Sequence, residues 1–417
     1  MAQMVQATDA DKRGGIMNLG KIDALFQERR AGHTLPQALY TSQDAFEFDV
    51  KAIYGQNWLM AGMECELPKS GSYLSMMVGN WPIIILRDKQ GDIRAFHNSC
   101  RHRGSILCQP GHGSAPKLVC PYHRWTYDLD GSLFAAGRME DDFDKSAHGL
   151  KPVAVECFGG AIFICLADTP PPIDEFREKF SAYAAPANFE NLKLAHVDKL
   201  VEYANWKLVM ENARECYHCA TGHPELAKTF PVGMSKHFDA HEDARAEAFG
   251  KAMDANGFPH EPVEGHWWQV ARFALNEGCT TMSEDGKPLV KKPLLTANGG
   301  DVGSLRWAID PHLFAHATSD YVFMFSCMPV SPTETHVYSK WYVHKDAVEG
   351  VDYDLKELTD LWLVTNGQDK ELAENNHIGV MSPGYTPGPY SADAEMLARR
   401  FTDWYCDTAR AYIDAHG

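Results

Sequence analysis

The sequence predicts an α+β protein built in two parts. A small antiparallel β domain comes first, and a larger domain of helices packed on an antiparallel sheet follows. Three observations carry this. Residues 58–166 read as short β-rich runs separated by turn signals. The run Thr169-Pro170-Pro171-Pro172 stops regular structure and reads as a linker. Beyond it, helical patterns bracket strand-like runs, an order that packing resolves by laying helices on an antiparallel sheet. The length of 417 residues suits two or three domains with ample core.

In chain order, residues 1–40 are polar and then helical in character, and carry no assignable chemistry. Residues 42–53 combine a Ser42 cap with apolar residues at helical spacing. Strands are expected over 72–78, 82–86, 93–96 and 161–166, with turns at Asp88-Lys89-Gln90-Gly91 and Asp128-Leu129-Asp130-Gly131. After the prolines, helices are expected over 173–184, 206–220, 353–375 and 392–416, and strands over 321–330 and 335–343. The expected division is an N-terminal segment 1–45 packing on the second domain, a β domain 46–168, and a second domain 173–417. No internal repeat or low-complexity tract is evident.

Composition narrows the function. Hydrophobic content of 45% with 23% charged residues is globular. Thirty-nine Lys and Arg against 56 Asp and Glu give a net charge of −17, which argues against nucleic acid and anionic lipid as partners. No apolar run approaches the ~18 residues of a membrane helix. The polar start, residues 1–15, has no apolar core of a secretory signal. Eleven cysteines, an odd number, in a chain this long suggest reduced, buried or metal-bound thiols and a cytoplasmic protein.

Two constellations carry chemistry. Cys100-Arg101-His102 and Cys120-Pro121-Tyr122-His123 form C-x-H, 17 residues, then C-x-x-H. Two Cys and two His also suit a structural zinc ion. A zinc finger, however, usually pairs its cysteines in one arm and its histidines in the other. One Cys and one His per arm suits a Rieske [2Fe–2S] cluster, with two thiolates on one iron and two imidazoles on the other. Cys108 in the spacer reads as a packed thiol.

The second lies in residues 205–224. Asn205 caps a helical pattern, and Glu215 and His218, three apart, are expected on one helix face. His218 and His223 would splay on a continuous helix, but Gly222 and Pro224 break it at the second His and let the chain turn back. Such a pair supplies two thirds of a 2-His-1-carboxylate iron site. Asp369 is the candidate carboxylate, on a helix with Trp362 one heptad earlier on the same face; Asp360, Glu371 and Glu374 compete.

With both motifs in this order, with Asn205-Trp206-Lys207-Leu208 before Glu215-Cys216-Tyr217-His218-Cys219, and with the late Gln368-Asp369 helix, the chain resembles the catalytic α component of Rieske non-haem iron oxygenases. The resemblance runs from about Asp44 to the C-terminus. The Glu215–Cys219 segment, Pro387-Gly388-Pro389-Tyr390-Ser391 and the Phe401–Tyr405 tail resemble the branch acting on quaternary ammonium compounds such as glycine betaine, proline betaine, choline and carnitine. Many ring-hydroxylating members carry Asp where this chain has Glu215.

The resemblance implies a [2Fe–2S] cluster, mononuclear Fe(II), O₂ as co-substrate and a homotrimer in which Glu215 links one subunit's cluster to the next subunit's iron. It also implies a partner reductase that holds the NAD(P)H and flavin sites, since this chain has no G-x-G-x-x-G after a strand. The expected reaction is oxidative N-demethylation of a small betaine with formaldehyde release. The alternatives are an arene dioxygenase or O-demethylase, and a Rieske electron carrier without oxygenase chemistry. A quaternary ammonium calls for aromatic faces. Trp267, Trp268, Phe273, Trp307, Trp362 and Tyr217 are available, and Trp362 is the first candidate. The sequence names no partner for a substrate carboxylate.

Overall fold

The computed structural model describes residues 18–232 and 240–417. Its architecture is α+β, as the sequence predicts, with two seven-stranded antiparallel sheets and a three-stranded one. The first sheet has the spatial order Leu59–Met63, Ala161–Cys165, Pro152–Phe158, Ile93–His97, Trp81–Arg87, Ser72–Val78, Gly111–Ser114. The small sheet (Leu118–Val119, Thr126–Tyr127, Leu133–Ala135) carries its own apolar cluster, with Cys100, Cys120, Trp125 and Tyr127 buried among Ile84, Leu86 and Phe96. Both expected turns lie where the sequence places them. Asp88 Oδ1 accepts the amides of Gln90 and Asp92 at 2.9 and 3.0 Å, the side-chain-to-backbone bonding that makes Asp a turn former.

The second sheet is a meander from Val263–Glu264 through Trp268–Phe273, Ser304–Ile309, Leu313–Ala317 and Tyr321–Ser331 to Glu334–His344, with Leu192–Glu202 added at the far edge. Its near-continuous burial, above all along Tyr321–Ser331, reflects cover on both faces. Helices Trp206–Asn212 and Leu355–Val380 pack together beside it, and Met396–His416 closes the C-terminal end. The described part of the N-terminal segment lies on that last helix. Phe26 meets Tyr405 at 5.6 Å between ring centres, and the Thr34 amide donates to Gly388 O at 2.9 Å. The question of a secretory signal concerns residues 1–15, outside the described residues. Among the described residues no helix is long and apolar enough to cross a membrane.

The Trp206–Lys207 motif has a packing reason. Ser42 caps Gln43–Phe48, and the chain continues as a wider π-type turn, Asp49–Tyr54, that buries Asp49 completely. Its carboxylate accepts from Trp206 Nε1 at 2.9 Å and Tyr405 OH at 2.7 Å, and it pairs with the equally buried Lys207 ammonium. This knot ties the N-terminal segment, the helix leading to Glu215 and the C-terminal helix. Lys207→Met should therefore cost about 3–5 kcal/mol, because it leaves a buried carboxylate without its counter-charge. Chemical denaturation followed by tryptophan fluorescence reads this, and the added Asp49→Asn change should restore part of the loss.

Two expectations are corrected. The helix expected over 206–220 ends at Asn212; a turn carries residues 213–218, and a single turn of helix, Cys219–Gly222, follows. The Glu215 carboxylate takes the Tyr217 amide, a local bond that competes with helical pairing, so Glu215 and His218 meet across a turn and not along a helix face. The cysteines are not all free either. Cys216 and Cys219, with Cα atoms 4.9 Å apart, form a disulfide, because the turn brings side chains three residues apart onto one side.

Candidate metal centres and the cavity

The first constellation converges at the tip of the small β domain. Each arm follows a strand, and Gly104, at φ +81°, returns its amide to Cys100 O at 2.8 Å to close the first loop. His102 Nδ1 and His123 Nδ1 lie 3.1 Å apart. Two ligands bound at about 2.1 Å and right angles to one metal stand about 3.0 Å apart, so these rings fit a shared ion. Both imidazoles are exposed, whereas Cys100 and Cys120 are buried. Burial pushes the Cys120 thiol up, but the amides of Tyr122 and His123 and the side chains of Cys100 and Ser105 outweigh it and hold the thiol below its ordinary value. Tyr127 OH lies 3.3 Å from Cys100 Sγ and accepts the Arg101 amide. The donor set fits a [2Fe–2S] cluster, which Cys100 and Cys120 would hold from the buried side and His102 and His123 from the exposed one. Cys108 is buried, and its carbonyl accepts from Asn98 Nδ2 at 2.7 Å.

The second constellation sits where the 213–223 turn meets the long helix. His223 leaves helical geometry (φ −130°, ψ 68°), so its ring turns back toward His218. His218 Nε2 and His223 Nε2 are 3.0 Å apart, and Asp369 Oδ1 lies 3.2 and 3.0 Å from them. This is again the spacing of three ligands on one face of a metal ion. The remaining ring nitrogens are held from outside: Glu215 Oε1 bonds His218 Nδ1, and Gln368 Oε1 lies 2.8 Å from His223 Nδ1. Gln368 is itself tied to Glu225 at 3.0 Å. Such outer bonds fix ring orientation and raise ligand basicity.

Burial alone would lower the His218 imidazole, but Asp369 and Glu215 raise it to about 9. The converse holds for Asp369, where burial is outweighed by the two imidazoles and the carboxyl stays low. Without a metal these groups share protons, and a divalent cation is the natural replacement for them. Cys219 Sγ is 4.0 Å from His218 Nε2, yet its disulfide removes it as a thiolate ligand. Competing carboxylates are engaged elsewhere or face outward: Asp360 with Lys356, Glu374 with Lys370, and Glu371 exposed.

A cavity of about 810 Å³ opens beside this triad. Among the aromatics singled out from sequence, Trp362, Phe273 and Tyr217 line it; Trp267, Trp268 and Trp307 do not, and pack with Phe176 and Phe180 in the core. Trp362 already stacks on Phe323 at 4.0 Å and on His316 at 5.5 Å. Phe230, Phe314 and Phe325, which sequence reasoning missed, add apolar wall. Glu202 also lines the cavity as a polar group, and its buried Oε2 has no hydrogen-bond partner among the described residues; burial and then the Asp369 charge push its carboxyl up to about 8. Phe314 and Phe325 lie on the paired strands Leu313–Ala317 and Tyr321–Ser331, and Phe230 on the loop that follows residues 226–228.

Comparison with known proteins agrees with this layout. The Rieske [2Fe–2S] domain model matches residues 57–158, and the ring hydroxylating alpha subunit (catalytic domain) model matches residues 189–411. The chain is 42% identical to the glycine betaine monooxygenase oxygenase subunit of Chromohalobacter salexigens, over 94% of this chain and 89% of that protein. It is 44% identical to the protein of that name from Pseudomonas aeruginosa, over 92% and 90%. A crystal structure of a quaternary ammonium Rieske monooxygenase with L-carnitine shares the fold, with a TM-score of 0.70 at 23% identity over 93% of this chain and 98% of that one. The chain therefore belongs to the ring-hydroxylating α-subunit family of Rieske oxygenases, with a [2Fe–2S] domain ahead of a non-haem iron domain.

Proposed function

We propose that this chain catalyses O₂-dependent oxidative N-demethylation of a small quaternary ammonium compound of the glycine betaine type. The observation that carries the reading is an aromatic-walled cavity opening on a His218–His223–Asp369 triad in a chain 42–44% identical to glycine betaine monooxygenase oxygenase subunits. In balance, the betaine, O₂, NAD(P)H and a proton give the tertiary amine, formaldehyde, water and NAD(P)⁺. One N-methyl C–H is replaced by C–O, and the N-hydroxymethyl group then loses formaldehyde as its N–C bond breaks.

In this reading Cys100, His102, Cys120 and His123 hold the cluster, and His218, His223 and Asp369 hold Fe(II). When bound, these centres supply reducing electrons and O₂ activation. The chain's own residues do the rest. Gln368 orients His223, and Glu215 holds the proton at His218 Nδ1. Phe230, Phe314 and Phe325 exclude water and offer faces to a cation. The exposed imidazoles of His102 and His123 suit a homotrimer, in which a neighbour's Glu215 receives the electron, and a separate cytoplasmic reductase that carries NAD(P)H and flavin.

Purified chain with a reductase, glycine betaine and O₂ should release one formaldehyde per O₂ consumed and contain about three irons per chain. Two irons, a cis-diol from an arene, or no formaldehyde from any betaine would overturn the reading.

A further inference from the structure

A betaine carries a carboxylate as well as a cation, and the cavity wall holds a cation with no partner. Arg306 lies in the Ser304–Ile309 strand and lines the cavity. It makes no hydrogen bond or ion pair among the described residues; Asp310 reaches it only as a distant charge, opposed by Arg214 and Arg400. Asp310 is already spoken for. Its Oδ1 accepts Arg214 Nη2 at 2.9 Å and Nε at 3.2 Å, and its Oδ2 is 3.3 Å from Arg400 Nη1. Arg400 is also 3.2 Å from Glu264. Arg214 and Arg400 thus take Asp310 and Glu264, and Arg306 is left without an ion pair among the described residues. A second unmet donor stands beside it: Arg214, 3% exposed and also lining the cavity, has its buried Nη1 without a hydrogen-bond partner.

Arg306 shares one cavity wall with His316, Trp362 and the triad. Arg306 pairs across the sheet with His316, so their side chains share a face, and His316 also lines the cavity. His316 stacks on Trp362, which lies seven residues, about 10 Å of helical rise, before Asp369 on the same helix. An unpaired guanidinium in so apolar a wall is costly. Its field is felt: burial and then the Arg306 charge hold His316 well below the usual imidazole range. An incoming anion removes that cost.

We propose that Arg306, assisted by the free Nη1 of Arg214, binds the carboxylate of a zwitterionic substrate and so selects small betaines over quaternary amines that lack an acid group. This rests on the betaine reading of the cavity. It also sets direction, since a carboxylate fixed at Arg306 leaves the N-methyl end for the aromatic wall and the triad.

The test uses the full-length holoenzyme and compares glycine betaine with its methyl ester and with choline, which keep the trimethylammonium group and lack the carboxylate. The wild-type protein should bind glycine betaine about 30- to 100-fold more tightly than the ester, the weight of a charge-assisted bond to a buried partner. Arg306→Met should collapse that ratio toward one, raising KM for the betaine far more than it lowers kcat, and Arg306→Lys should restore part of it. Cluster absorbance and iron content establish that the variants fold; the ester comparison needs no variant.

An ester that binds as well as the acid, or a ratio unchanged in Arg306→Met while the wild-type protein demethylates glycine betaine, would overturn this inference alone. A wild-type protein that releases no formaldehyde from any betaine would overturn the functional reading and this inference with it.

Discussion

Asp369→Ala is expected to lower bound iron from about three to about two per chain and to take formaldehyde release below detection. The cluster's EPR signal in the reduced protein should be unchanged. Asp369 supplies the only anionic ligand atom at the triad, 3.2 and 3.0 Å from the two imidazole nitrogens. Two neutral imidazoles alone hold a divalent iron poorly, and the Ala side chain leaves a gap that water fills without charge. The first constellation lies in loops over the small β domain's own apolar cluster and the second on the 213–223 turn and the long helix, so losing one does not unfold the other. Gln368→Ala should be milder, weakening iron by about 10–100-fold, because it frees the His223 ring without removing a ligand. Iron titration of the chelated protein followed by iron-specific colorimetry separates the two variants. A triply loaded, active Asp369→Ala protein would sink the assignment.

Much of the candidate site is legible in the sequence, and the reason is local. C-x-H with C-x-x-H states its own chemistry, because each ligand pair sits within one loop and no distant contact is needed to see it. The break at Gly222 and Pro224 is likewise a local signal, and His223 does leave helical geometry there. Asp369, about 150 residues downstream, needed the helix pattern and the Gln368 neighbour to single it out.

What stayed hidden depends on tertiary accounting. Arg306 reads in sequence as one more strand residue, and only the engagement of Asp310 by Arg214 and Arg400 leaves it without a partner. The cavity phenylalanines Phe314 and Phe325 stack on each other at 4.8 Å across paired strands, a register that the sequence does not specify. The early end of the Trp206–Asn212 helix was missed for a similar reason. The pattern of apolar spacing continues past Asn212, while the Glu215 carboxylate and the Cys216–Cys219 link pull the chain into a turn.

Glu215→Gln is expected to cut steady-state oxygen uptake by more than the ~10–100-fold that losing an outer bond to a metal ligand costs. Iron content and the cluster signal should stay intact. Glu215 joins two things: Oε1 bonds His218 Nδ1, and Oε2 takes the amide of Tyr217, a residue 70% exposed. It therefore stands between His218 and the protein surface, where in the proposed homotrimer the exposed His102 or His123 of a neighbouring subunit would dock. Gln keeps the length and an oxygen that accepts from His218 Nδ1–H, giving up only the bond from the Tyr217 amide, so a residue that merely orients the ring would be replaced at modest cost. Gln loses the charge and the capacity to take a proton, which are what a link between two centres requires as an electron moves. Stopped-flow oxidation of the reduced cluster by O₂ in the presence of substrate isolates that step from substrate binding. Wild-type cluster oxidation in Glu215→Gln would reduce Glu215 to a positioning residue for His218, whereas a slow phase with full iron occupancy places it on the electron path between subunits.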